Sequence, residues 1–330
     1  MKIKIYLLVM LLMSINGIIF SVEEPKKETL SQKQSIQQSN IQKQDESREM
    51  ELKIDKRKNT KNKEWKLIWS DEFDGNELDR SKWDYWENDN PWNSGNYVDE
   101  NGNLVDRYGF QSKHYYLNEN IKFKNGNLII TLKKEGNRTE KIEGKDRRIL
   151  YSSGAIHTRN IFSVKYGKIE MRMAMPKGIG VWPAFWLWPA DHAQARDVWA
   201  DGEIDIVEVY GDNMKRVTGT AHVLLEPAKY KSYNKNNLII KKSENLLDFN
   251  TYAIEWDEKE IKWLFNGRVY KKVSMKKIEK DAKKGKYPYN PFNKPYYIMI
   301  NVALQNKTGE DGDVDFPTKM KVDYVRVYQK

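Results

Sequence analysis

The chain has 330 residues, no cysteine and a formal net charge of +10. The absence of cysteine excludes disulfide bonds, thiolate metal sites and a cysteine nucleophile, and a chain of this length can bury a core without such cross-links. The lysines are scattered among acidic residues instead of forming one basic arm, and the sequence has no nucleic-acid recognition motif, so nucleic acid is not an expected partner.

The first 21 residues are typical of a signal peptide. Lys2 and Lys4 provide a charged start, and an apolar run follows from Ile5 to Met13. Ser14, Asn16 and Gly17 break the apolar character after Met13 before it resumes at residues 18–20, which makes the segment a poor membrane span, and Ser21 is a small residue suited to cleavage. We therefore predict a secreted or periplasmic protein with no membrane span in its mature form. Retention by an uncleaved N-terminal signal anchor is the alternative.

Residues 22–64 consist mainly of Lys, Glu, Gln, Ser and Asn. Such a segment buries too little apolar surface to offset the entropy lost on ordering, which predicts a disordered polar linker. From Trp65 onward aromatic residues recur as far as Tyr328 without a break in composition. This pattern predicts one folded domain over residues 65–330.

Short strands are predicted throughout this domain. The pairs Asn125-Gly126 and Asn266-Gly267 are typical of tight turns with left-handed backbone between antiparallel strands. Many short strands without long helical patterns between them favour a sandwich or jelly roll over β-α-β units. The predicted strands cover residues 65–69, 128–132, 168–173, 204–210, 252–256, 261–265, 296–302 and 321–328.

A tryptophan-rich strand precedes an acidic one. Residues 180–189, GVWPAFWLWP, place Trp182, Trp186 and Trp188 on one face of a strand. Flat indole rings beside carboxylates suit a sugar-binding floor, because pyranose rings present C–H faces to aromatic rings and hydroxyls to polar groups. Packing in the core is the alternative for any one of them.

Three carboxylates lie on the acidic strand, residues 201–210, DGEIDIVEVY. Alternation places Glu203 and Asp205 on one face and the isoleucines on the other. The same alternation would bury Glu208 in the core at a cost of several kcal/mol. A one-residue β-bulge between Asp205 and Glu208 avoids that cost and restores Glu208 to the acidic face, so we predict the bulge.

A row of three carboxylates indicates acid–base chemistry. Mutual repulsion raises the pKa of at least one of them and so creates a proton donor. Retaining glycoside hydrolysis pairs an ionised carboxylate with a protonated carboxyl about 5 to 5.5 Å away, so the outer two carboxylates must converge through strand curvature. A solvated acidic face paired with lysines is the alternative.

The sequence resembles glycoside hydrolase family 16, in particular the laminarinase-like endo-β-1,3-glucanases. The resemblance implies a concanavalin A-like jelly-roll β-sandwich of two antiparallel sheets with an open concave cleft, and an endo-glycosidase that hydrolyses β-glucan with retention of configuration. The motifs that carry it are WSDEFD at 69–74, SG at 153–154, YGK at 166–168, WPAFW at 182–186, GEIDIVE at 202–208, TAH at 220–222, IEW at 254–256 and VDYVRVY at 322–328.

By the same resemblance, Glu203 matches the nucleophile, Asp205 the residue that tunes it, and Glu208 the acid/base. The positions that match sugar contacts are Trp182, Trp186 and His222. No cofactor is required for the chemistry, and we expect a monomer acting on a polysaccharide.

The resemblance also implies a structural calcium in some relatives. The matching oxygens here are those of Glu72, the Gly126 carbonyl and Asp323. Carboxylates near strand ends are otherwise usually solvated.

Two segments depart from the family pattern. Residues 111–115, QSKHY, stand where a Trp-Gly-Asn-Asn-Glu pattern is expected, and Asn306 is followed by KTGE instead of a Gly-Gly-x-Trp-Pro-Gly loop. Loops at the edge of a cleft determine which linkage enters, so several alternatives stay open. These are mixed-linkage β-glucan, a galactan such as agar or carrageenan, a wall-remodelling transglycosylase, and a non-catalytic carbohydrate-binding protein.

Overall fold

The computed structural model describes residues 64–86, 96–105, 112–142, 144–191, 202–226, 229–286, 289–305 and 314–330. The described residues from Trp65 to Lys330 belong to one compact unit. The predicted signal peptide and nearly all of the predicted linker lie outside the described residues, so both stay predictions. Within the ranges given, no helix has the length and apolar character needed to cross a membrane.

Strands make up most of the described chain. The first eleven are β1 (Lys66–Asp71), β2 (Asp84–Tyr85), β3 (Tyr97–Val98), β4 (Leu104–Val105), β5 (His114–Tyr116), β6 (Ile121–Phe123), β7 (Leu128–Lys134), β8 (Thr139–Ile142), β9 (Lys145–Arg148), β10 (Tyr151–Ser153) and β11 (Ala155–His157). The remaining strands are β12 (Gly167–Ala174), β13 (Val181–Pro189), β14 (Glu203–Glu208), β15 (Arg216–Glu226), β16 (Lys229–Ser232), β17 (Leu238–Ile239), β18 (Asn250–Trp256), β19 (Glu260–Phe265), β20 (Arg268–Ser274), β21 (Tyr296–Leu304) and β22 (Thr318–Gln329). The described residues also contain one α-helix, α1 (Met275–Ala282), and two 3-10 turns, Asn118–Asn120 and Pro291–Asn293.

Two large sheets build the domain. The ten-stranded sheet has the order β20-β19-β18-β12-β22-β7-β10-β5, with β1 also paired to β22 and β6 to β7. The eight-stranded sheet has the order β16-β15-β14-β13-β21-β11-β2, with β17 also paired to β15. The neighbouring strands pair antiparallel apart from β10 and β5, and a small sheet, β4-β3-β9-β8, stands beside the large ones. The predicted all-β sandwich of two antiparallel sheets is confirmed.

The core lies between the two large sheets. Ile169, Met171 and Met173 of β12 are fully buried, as alternation in a half-buried strand requires. They belong to one hydrophobic cluster with Phe185 and Leu187 of β13, which face them from the other sheet. Burial of this shared face is the main contribution that holds the two sheets together.

Tight turns connect neighbouring strands as the sequence predicts. Asn125 and Gly126 between β6 and β7 have φ values of 55° and 65°, and Asn266 and Gly267 between β19 and β20 have 48° and 72°. Two consecutive residues with positive φ are characteristic of type I′ turns, whose twist matches that of the strands they join.

Gly219 of β15 allows a close approach between the two sheets. A Cβ atom at this position would lie 2.2 Å from Trp263 Cδ1 and 2.5 Å from Trp263 Nε1. Trp263 is fully buried, so its indole ring has no free space into which it could move. Only glycine permits the contact.

Replacing Gly219 with alanine should therefore destabilise the protein by about 1–3 kcal/mol, the usual cost of overpacking a core. Gly136 provides a matched control, because a Cβ there meets no atom within 4 Å. Gly136→Ala should change stability by no more than about 0.5 kcal/mol. Urea unfolding of both variants measures the difference, and equal midpoints would contradict this account of Gly219.

Candidate active site

The predicted β-bulge is present in β14. Glu203 pairs with His222 on β15, Asp205 pairs with Thr220, and the register then shifts so that Glu208 pairs with Thr218. Ile206 and Val207 consequently stand opposite Gly219 alone, two residues against one, and both are buried in the core.

The bulge places all three carboxylates in one cleft on the outer face of the eight-stranded sheet. Asp205 is 3% exposed and Glu208 is 8% exposed, whereas Glu203 is only partly buried. The cleft has a volume of about 450 Å³. The six positions predicted for chemistry and sugar binding all line it: Trp182, Trp186, Glu203, Asp205, Glu208 and His222.

Hydrogen bonds hold the carboxylates in place. The indole Nε1 of Trp182 donates to Glu208 Oε1 at 2.8 Å. His222 lies with Nε2 at 3.0 Å from Asp205 Oδ2, and its Nδ1 is 2.9 Å from Ser232 Oγ. From the core side, Trp263 Nε1 donates to the backbone carbonyl of Asp205 at 2.7 Å. Side chains from β13, β15 and β19 thus fix β14 from both faces of the sheet.

Burial and mutual repulsion raise the pKa of two of the acids. Burial is the main reason that the pKa of Glu203 lies well above its ordinary value, and the charge and hydrogen bond of Asp205 raise it further. Burial also dominates at Glu208, followed by the charge of Asp205, while the Trp182 N–H and the Lys271 ammonium oppose the rise in its pKa. The cluster can therefore hold protons at a pH where an exposed carboxyl has lost its own.

Aromatic rings line the cleft beside the carboxylates. Trp182 stacks on Tyr210, with ring centroids 5.8 Å apart and planes 21° apart. Four residues along β13, Trp186 contacts Trp86 at 6.3 Å and Trp188 at 5.4 Å. A strand rises about 3.3 Å per residue, so the Cα atoms of Trp182 and Trp186 lie roughly 13 Å apart along β13.

Three further residues of the cleft were missed by the sequence analysis. Asn301 of β21 accepts a hydrogen bond from Trp186 Nε1 at 2.8 Å and donates to the Tyr116 hydroxyl at 2.9 Å. His114, fully buried, accepts from the Leu304 N–H at 3.0 Å, and burial lowers its pKa to about 4. A polar amide inside the apolar run of residues 296–304 is the signal that could have found Asn301.

The predicted calcium ligands have other partners. Glu72 forms a bidentate ion pair with Arg326, with Oε2 at 2.8 Å from Nη2, and Asp323 lies 2.7 Å from Arg172 Nη1. Gly126 lies in the turn that leads into β7, where a Cβ atom would be 3.2 Å from Asp74 Oδ1. Because arginine neutralises both carboxylates, this arrangement does not fit a calcium ion without rearrangement. Calcium binding stays a prediction, and no chemical step depends on it.

Among the described residues, one group of acidic and histidine side chains is compact enough to hold a metal ion. Its members are Glu203, Asp205 and His222, with one potential ligand atom from each lying within 4.8 Å of the others. Asp205 and His222 are hydrogen-bonded to each other at this point, and a carboxylate pair can act on a glycosidic bond without metal.

Comparisons with known families agree with this geometry. The family model described as "Glycosyl hydrolases family 16" matches residues 110–326. A second model, described as "Beta-glucan synthesis-associated protein SKN1/KRE6/Sbg1", matches residues 3–190 and so ends before the carboxylate strand. The first match spans the carboxylates and all of β13, β14 and β15, and it confirms the resemblance found in the sequence.

Individual relatives extend the similarity. The chain is 33% identical over 278 residues to "Beta-glucanase" from Rhodothermus marinus, covering 80% of this chain and 85% of that protein. It is 32% identical over 272 residues to "Glucan endo-1,3-beta-glucosidase A1" from Niallia circulans, covering 80% of this chain but only 38% of that longer protein. The solved catalytic domain of an endo-1,3-beta-glucanase (laminarinase) from Thermotoga petrophila matches with a TM-score of 0.65 and 28% identity, over 82% of this chain and 99% of that one. The match confirms the jelly-roll architecture.

The raised pKa of Glu208 predicts a pH-dependent gain in stability for Glu208→Gln. At pH 7 the unfolded wild type carries an ionised Glu208, which burial disfavours in the folded state, and the neutral amide removes this penalty. The variant should melt higher at pH 7, by about 2–4 °C for each kcal/mol relieved. Near pH 4 both side chains are neutral, so the difference should shrink. Calorimetry at the two pH values tests this, and a variant less stable than wild type at pH 7 would contradict it.

Proposed function

This chain belongs to glycosyl hydrolase family 16, and from that premise we propose that it is a retaining endo-β-glucanase acting on β-1,3-glucan of the laminarin type or on mixed-linkage β-glucan. The observation that carries the proposal is the row of Glu203, Asp205 and Glu208, which the bulge in β14 turns toward a cleft flanked by aromatic rings. A protein that only binds carbohydrate gains nothing from three carboxylates held together against their own repulsion.

The first step forms a covalent intermediate. A Glu203 oxygen attacks the anomeric carbon of the sugar as the bond to the leaving oxygen breaks, and Glu208 gives its proton to that oxygen. Because Trp182 donates to Oε1 of Glu208, the proton is carried on Oε2. The departing sugar leaves with a free hydroxyl, and Glu203 is esterified.

The second step releases the sugar. Glu208, now ionised, takes a proton from water while the water oxygen attacks the anomeric carbon, and the bond to Glu203 breaks to return a carboxylate. Each step inverts the configuration at the anomeric carbon, so the two steps together retain it. Asp205 is hydrogen-bonded to Glu203 and held by His222, so it positions the nucleophile and shares a proton with it between turnovers.

The cleft supports attack within a chain. Several aromatic rings line the cleft beside the carboxylates, so sugar rings near the broken bond have surfaces on which to stack. The signal peptide predicted from Lys2, Lys4 and the apolar run supports secretion, where polymeric glucan is accessible.

Reducing-end release by the full chain on laminarin, lichenan, agarose and carrageenan tests the proposal. We expect activity on laminarin or lichenan, an early fall in viscosity as internal bonds break, and a β-configured product by proton NMR. Glu203→Gln and Glu208→Gln should each lower kcat/KM by about 10³-fold or more. Glu255→Gln, the same change on the other sheet, should leave activity unchanged.

Each alternative result has a defined meaning. Activity confined to agarose or carrageenan would overturn the substrate while leaving the chemistry intact. Binding without turnover would indicate a carbohydrate-binding protein, and longer oligosaccharides formed with excess acceptor sugar would indicate transfer to a hydroxyl instead of water. An α-configured product would exclude double displacement.

The separate roles of the two glutamates are tested with an activated substrate. A 2,4-dinitrophenyl β-glycoside needs no proton on its leaving group, so Glu208→Ala should still form the intermediate and release dinitrophenolate in a burst. Azide, which needs no general base, should then speed turnover by about tenfold or more and yield a β-glycosyl azide. Glu203→Ala should give no burst. A burst from Glu203→Ala and none from Glu208→Ala would mean that the two glutamates have exchanged roles.

A further inference from the structure

Lys271 of β20 is a buried cation that the proposed reaction does not use. It is 4% exposed, and its Nζ donates hydrogen bonds to the backbone carbonyls of Gly219 and Tyr233 on the side of the eight-stranded sheet. No salt bridge between described residues includes it. Taking an ammonium group out of water is costly unless nearby charge and dipoles compensate, so its position requires an explanation.

The position of Lys271 is directly behind the bulge. In the register of the ten-stranded sheet Lys271 is paired with Trp263, and its Nζ lies 4.8 Å from the centre of that ring. Trp263 donates to the carbonyl of Asp205, and Lys271 donates to that of Gly219, the residue opposite the bulge. One cross-strand pair of the facing sheet therefore holds both sides of the bulge.

The charge of Lys271 also reaches the carboxylates. The charges of Asp205 and Glu208 raise its pKa, although burial outweighs them and lowers it to about 8. In return, the ammonium lowers the pKa of Glu208, against burial and Asp205, which both raise it. Below pH 8 the cation is present and stabilises the ionised form of Glu208.

We propose that Lys271 is a positioning residue of the active site, which pins the bulge in β14 from the core side and places a positive charge behind the carboxylate strand. This inference rests on the proposed function, in which Glu208 must be protonated in the first step and ionised in the second. Burial alone favours the protonated form. The cation behind the strand keeps the ionised form accessible, so that the same group can serve as base.

The other titratable groups near Lys271 do not provide this effect. Tyr233, whose carbonyl accepts from Lys271, and Tyr270, its neighbour on β20, both have phenol pKa values raised by burial, so they stay neutral. Trp263 has no titratable group. On β14 the groups are Asp205 and Glu208 themselves. The imidazole of His222 lies in the cleft, on the other side of β15.

The pH profile of kcat/KM on laminarin tests the inference. Lys271→Gln keeps a donor for the Gly219 carbonyl but removes the charge, so the pKa of Glu208 should rise and the basic limb should move up by about 0.5–1 pH unit. Lys271→Arg keeps the charge and should keep the limb in place. Trp263→Phe removes the hydrogen bond to Asp205 and part of the buried ring but leaves the charge of Lys271, so it should lower kcat without moving the limb. An active Lys271→Gln enzyme with an unmoved limb would overturn the proposal.

A measurement without turnover makes the inference independent of the substrate. The Nζ nitrogen-15 resonance of Lys271, assigned by its loss in Lys271→Arg, should titrate near pH 8 in the wild type. In Glu208→Gln a negative charge is lost, so the pKa of Lys271 should fall further, as reciprocal coupling requires. An unchanged titration would refute the coupling even where Lys271→Gln does not fold. If the pKa of Lys271 does respond to Glu208→Gln but the protein has no activity on any glucan, only the proposed function is refuted.

Discussion

One extra residue in β14 determines which face of the eight-stranded sheet carries Glu208. Without the bulge, alternation would direct this carboxyl into the core, where it would face the fully buried side chains of the opposite sheet. With it, Ile206 and Val207 both fill the core and Glu208 returns to the cleft beside Asp205. The rest of the site follows from this irregularity, because Trp182 can reach Glu208 only on the cleft side.

A bulge and a carboxylate cluster both weaken a sheet. Residues from both large sheets compensate by providing polar neighbours and hydrogen bonds. Thr218, Thr220 and His222 of β15 lie opposite the three acids, so each acid has a polar neighbour across the strand pair. Trp263 and Lys271 satisfy backbone carbonyls from the core side. Some electrostatic repulsion and burial cost remains at Glu203 and Glu208 and lowers the stability of the folded protein. Such a loss of stability at reactive groups is common at active sites.

The sequence predicts much of this arrangement because its signals are local. Strand alternation, the Asn-Gly turns and the bulge follow from short-range patterns, the bulge from the cost of burying Glu208. The hydrogen bonds from Trp186 to Asn301 and from Asn301 to Tyr116 cannot be predicted from such local patterns. These residues lie on strands that are far apart in sequence and that only the sheet topology brings together. Lys271, one of two consecutive lysines, has nothing in its sequence to distinguish it from a solvated surface residue. In the fold it is buried with its ammonium donating to the carbonyls of Gly219 and Tyr233, which lie far from it in sequence.

Glu203 and Glu208 both have raised pKa values, and the hydrogen bonds that each makes distinguish their proposed roles. Glu203 shares a hydrogen bond with Asp205, so a proton held there lets Glu203 present an oxygen with a free lone pair to the anomeric carbon. Among the described residues no acid is hydrogen-bonded to Glu208, and Trp182 donates to its Oε1, which leaves Oε2 for the proton that the proposed reaction transfers to the leaving oxygen. The Trp182 N–H, through a hydrogen bond, and the Lys271 ammonium, through its charge, both act against burial at Glu208. At the carboxyl that must change protonation state in the proposed reaction, a hydrogen bond and a nearby cation therefore partly oppose burial, although its pKa still lies well above the ordinary value.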